Sequence, residues 1–63
     1  MNDYAEFLKI LLAKAQEFDS NYMNLHWNKE TGKVYKEYLP QLQRMLLFTS
    51  KISTELINLK SES

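Results

Sequence analysis

Sixty-three residues carry eight basic and eight acidic side chains, one histidine and no cysteine, for a net charge of zero. A chain of this length holds one domain with a marginal core; disulfides are excluded, and one histidine without thiolates all but excludes a closed structural zinc site, so a second chain is the staple that remains. Zero charge is also unlike the basic excess of non-specific nucleic-acid binders, while 44% hydrophobic and 13% aromatic residues exceed what a disordered tail carries.

The opening MNDYAEF is acidic and polar, unlike a secretory leader, and the apolar run Ile10 to Ala13 is far too short to span a membrane. We expect a cytoplasmic protein.

From Tyr4 the apolar residues Tyr4, Leu8, Leu11, Ala15, Phe18, Tyr22 and Leu25 step by 4, 3, 4, 3, 4 and 3. That spacing keeps a stripe on one side of a helix and predicts one from about Asp3 to Trp27, capped by Asn2 or Asp3, with Glu6 favoured in the first turn by the helix dipole. The polar stretch 28–33, with Gly32 as its permissive residue, predicts the turn.

A second helix is predicted over about 34–60, where Tyr35, Tyr38, Leu42, Met45, Thr49, Ile52, Leu56 and Leu59 step by 3 and 4 without a break. Pro40 lies inside it, and proline in a helix interior costs about 3 kcal/mol. Two readings are open: a short helical turn (residues 33–38) before a main helix starting near Pro40, or one helix kinked there. The unbroken seam favours the kink. The tail from Lys60 is expected to fray.

Two helices of similar length joined by a short turn form an all-α, antiparallel hairpin. Phe7, Leu12, Leu39, Leu46 and Phe48 flank the seams, giving an apolar face too wide for two helices alone. The expected architecture is therefore a four-helix bundle, completed by homodimerisation or on a partner protein.

Little in the sequence points to catalysis. His26 is the one side chain that titrates near neutrality, and one glycine cannot build a phosphate-binding loop. His26 is read mainly as an imidazolium offsetting the helix dipole, with Tyr22 one turn before it. The sharper alternative makes it a metal ligand with Glu30 and, two turns back, Asp19. Lys29, Lys33, Lys36 and Arg44, interleaved with Tyr35 and Tyr38, give a mild basic excess; as a nucleic-acid surface this is outweighed by the tyrosines' seam positions. Trp27 at the tip is read as a plug for the bundle end, with an exposed contact residue as the other reading, and is kept among the candidate partner-binding residues.

Leu25-His26-Trp27-Asn28, followed by Gly32 and Tyr35, resembles the junction between the first two helices of the Dps-type miniature ferritins, over a span of about Tyr4 to Leu59. The resemblance implies that the chain corresponds to half of that family's four-helix subunit. The family's iron site uses the histidine of this segment, a second histidine early in the second helix, and an aspartate and glutamate four apart later in it. His26 matches the first. Residues 36–43 hold no histidine, the later positions offer Ser53, Thr54, Ile57 and Asn58, and the loop is one residue longer. The resemblance thus implies helix packing without the iron chemistry.

The sequence predicts a non-enzymatic, cofactor-free interaction protein: a regulator, inhibitor or adaptor of the phage- or plasmid-accessory kind. It would dock through Phe7, Leu12, Trp27, Leu39, Leu46 and Phe48. The alternatives are a ferritin-like metal-handling bundle using His26 and a dimeric nucleic-acid binder using the four basic residues.

Overall fold

A computed structural model describes residues 3–62 of the chain, and side chains over 3–61. Asn2, one of the two expected caps, and Ser63 lie outside the described residues. Helix α1 spans Asp3–Leu25 and helix α2 spans Leu39–Glu62. They pack against each other as an antiparallel hairpin 47 Å long and 15 Å in each other direction. No described helix is long and apolar enough to cross a membrane.

The connection is more ordered than a turn. Trp27–Asn28 (β1) and Lys33–Val34 (β2) pair antiparallel, Trp27 with Val34 and Asn28 with Lys33. Asn28 organises the loop, its Oδ1 accepting from the Glu30 amide at 2.9 Å and its backbone carbonyl from the Gly32 amide at 2.9 Å. Gly32 closes the loop at φ +68, in the left-handed region where a Cβ is disfavoured. The Tyr35 amide, bonding His26 O at 2.9 Å, carries the pairing one step further. This ladder claims Trp27 and Asn28, and so α1 ends at Leu25, two residues short of expectation.

Of the two readings at Pro40, the structure takes the first in essence. A 3₁₀ turn, Lys36–Tyr38, runs straight into α2, and Pro40 is the second residue of that helix. Pro40 has no N–H to donate to the Lys36 carbonyl four residues back, and the Leu39 amide takes that carbonyl instead, which is the 3₁₀ bond. In a first helical turn the missing donor costs little. At the other end α2 continues past Lys60 to Glu62, with Ser61 Oγ donating to Ile57 O at 3.1 Å.

The core is small. Leu8, Ala15, Ile52 and Leu56 form its buried cluster, with Ala5, Leu11, Leu12 and Leu59 packed against it, and Leu42 is buried nearer the turn. The α2 seam from Leu42 to Leu59 faces inward as its spacing requires. The α1 seam does not. Its buried and half-buried line is Ala5, Leu8, Leu12, Ala15, Asp19, Tyr22 and His26, which also steps by 3 and 4. Leu8, Ala15 and Tyr22 are shared with the expected line; Tyr4, Phe18 and Leu25 turn outward and are exposed. Asp19 sits inside because α2 presents Thr49 to it, Oγ1 donating to Asp19 Oδ2 at 2.6 Å.

Candidate functional site

The rotation of α1 leaves a long apolar stripe uncovered. Tyr4, Leu11, Phe18 and Leu25 recur every seven residues along one flank, joined by Phe7. Phe18 is 61% exposed and Leu25 77%, although Leu11 is half-buried against the core. Helix α2 has two apolar flanks. Leu39, Leu46 and Ile57, spaced by 7 and 11 residues, share one of them, and Ile57 is 60% exposed. Phe48, two residues from Leu46, lies about 200° round the helix on the other flank; it is 53% exposed.

Of the six residues the sequence nominates for partner contact, Phe7, Trp27, Leu39, Leu46 and Phe48 are exposed. Leu12 is not a free contact residue: it is half-buried against the hairpin's own core, because the inward line of α1 runs through it.

Phe18 and Phe48 flank a groove of about 280 Å³, lined also by Ala15, Asp19, Gln41, Arg44, Met45 and Thr49. Its lining is mostly hydrocarbon, with one carboxylate from α1 and one guanidinium from α2. Asp19 is 5% exposed. The Thr49 hydroxyl also lies 3.1 Å from Met45 O, and its single proton goes to the closer, charged acceptor. Arg44 donates to Gln41 Oε1 at 3.2 Å along its own helix.

At the turn end, His26 stacks on Tyr38 with ring centroids 3.6 Å apart and planes 12° from parallel. Tyr22 meets the same ring edge-on at 4.6 Å. Those three rings close the end of the hairpin. Trp27 does not plug it; the indole lies outside, between a hollow shared with Met23 and Lys29 and another shared with Tyr35. The strand pairing is the reason, since alternate residues of β1 face opposite ways. His26 amide bonds to Tyr22 O and Met23 O at 3.2 and 3.3 Å place it just past the last turn of α1.

Lys29, Lys33 and Lys36 gather at the tip, all exposed and interleaved with Glu30 and Glu37, while Arg44 stands apart on the groove rim. Among the described residues no group of three or more His, Cys, Asp or Glu converges. Asp19, His26 and Glu30 go to three different settings: the groove, the aromatic stack and the exposed loop. The groove and the outward α1 stripe are what the seam reading missed. A second line at heptad spacing, offset by one residue and interrupted by Asp19, was the available signal. No protein-family model, curated protein or solved structure matches this chain.

Proposed function

We propose that this chain is a non-enzymatic protein-interaction module, a regulator, inhibitor or adaptor that lays an exposed helical face on another protein chain and completes a four-helix bundle with it. Surface area carries this reading. The hairpin exposes 5237 Å², against about 4,250 Å² for a compact chain of 7.5 kDa. The surplus of about 1,000 Å² exceeds the roughly 800 Å² that each partner contributes to a stable interface. Its apolar part is concentrated in stripes at helical spacing rather than scattered, which marks a docking surface for helices.

The test compares the parent chain with a variant carrying Phe7→Ser, Phe18→Ser, Leu46→Ser and Phe48→Ser. We expect the dilute parent to bind an apolar-surface dye, and the variant to keep its helical circular dichroism while binding almost none. A parent that binds no dye at any dilution would remove the reading. So would a variant that unfolds, since the four side chains would then serve the hairpin itself.

A further inference from the structure

The chain that covers the Phe18–Phe48 side is, we infer, a second copy of this one. The two hairpins pack about a two-fold axis parallel to their helices, so that α1 of each copy lies on α2 of the other. The inference rests on the interaction reading above and names its partner.

Helix α1 carries two complete lines at heptad spacing. The inner line meets α2; of the outer one, Tyr4, Phe18 and Leu25 are exposed, and Leu11 alone also packs against the hairpin's core. A helix with two such lines is built for two helical neighbours, as in a four-helix bundle. The other side of the hairpin is not matched in this way: Leu39, Leu46 and Ile57 stand on α2, while the exposed residues of α1 on that side include Lys9 and Gln16.

Charge selects the occupant and the axis. The groove carries a negative Asp19 on its α1 wall and a positive Arg44 on its α2 wall. An axis parallel to the helices exchanges α1 for α2 across the interface. Each Arg44 then lies over the groove whose floor holds the other copy's buried Asp19, and each Phe18 faces the other copy's Phe48. Both pairings occur twice, as an isologous contact requires. An axis perpendicular to the helices would set α1 on α1 and slide the two grooves apart, because Asp19 lies about five residues, or roughly 7.5 Å, from the middle of α1. The surplus surface of about 1,000 Å² matches one side of a standard dimer interface.

Sedimentation equilibrium of the full chain at micromolar concentration should give twice the chain mass. Phe48→Glu and Arg44→Glu should each weaken the dimer, the first by about 100-fold and the second by about tenfold, with helical content retained. Leu46→Glu, on the opposite flank, should leave the dissociation constant within about threefold. Arg44 is exposed, so its variant folds even where Phe48→Glu does not. The parent has no cysteine, and a nitroxide on Lys29→Cys then reports the axis. Two labels at one end of the bundle should lie within about two helix diameters, roughly 20–25 Å, whereas turns at opposite ends would separate them by nearly the 47 Å hairpin length. A monomer throughout would overturn the second copy and leave the docking reading standing with a different protein as occupant. A dimer with distant labels, or one broken by Leu46→Glu and not by Phe48→Glu, would overturn the face and axis proposed.

Discussion

A carboxylate buried against an apolar seam has to find a donor, and Asp19 has one in Thr49, at 2.6 Å across the two helices. Removing the donor alone leaves the acceptor stranded. Thr49→Val should therefore destabilise the hairpin by about 1–3 kcal/mol in urea unfolding. The double variant Asp19→Leu/Thr49→Val should recover most of that loss, because replacing both partners of a buried polar pair by apolar groups is often neutral. A double variant no more stable than Thr49→Val would show that the pair contributes more than its own satisfaction. His26 shows what single residues reveal in sequence and what they do not. Its contact with Tyr22 follows from their separation of four residues on a helix. Its stack on Tyr38 comes from beyond the turn, and no local spacing encodes it.

At the scale of the elements, the two helices differ in how well periodicity describes them. In α2 the apolar seam has polar neighbours along much of its length, and the line from Leu42 to Leu59 is also the line that becomes buried. In α1 two registers overlap, and the one with the larger apolar side chains loses the interior. Apolar counting follows Phe18 and Leu25; packing takes Asp19 and His26, since Thr49 and Tyr38 on the far side of the turn suit them. The turn was legible as a turn from Asn28 and Gly32, but its strand pairing was not, because two-residue strands leave no alternation to count. Gly32 gives the element its own test. A Cβ there meets nothing within 4 Å, so the cost of substitution comes only from the backbone at φ +68. Gly32→Ala should lower stability by about 1–2 kcal/mol, and Gly32→Asn by less, because asparagine visits the left-handed region more readily. Equal losses in thermal unfolding would locate the penalty in side-chain crowding instead.

For the molecule as a whole, the radius of gyration of 14.5 Å stands well above the roughly 10.6 Å of a compact chain of 63 residues. A rod of two helices holds few residues away from water: five hydrophobic side chains and Asp19 make up the buried set among the described residues. Association, where it occurs as proposed, should add to the stability of such a rod. Each tenfold rise in chain concentration adds about 1.4 kcal/mol to the folded dimer, which, set against the unfolding entropy of two chains, should raise the melting temperature by roughly 5 °C. A midpoint independent of concentration over two decades would mean that the hairpin stands on its own core.

The proposed pairing through the Phe18–Phe48 side would close one flank of each hairpin and leave the exposed Leu39, Leu46 and Ile57 flank on the outside of the bundle. That has a colloidal consequence. The chain's isoelectric point is near 6.6 and its net charge near neutrality is zero, so such bundles would have no long-range repulsion to hold their greasy outer strips apart. Solubility in the absence of any further ligand should then be lowest close to neutral pH, and it should rise in acid as carboxylates are neutralised and in base as amines are, each leaving one sign of charge in excess. The same balance would make that strip the most adhesive surface of such a bundle near neutral pH.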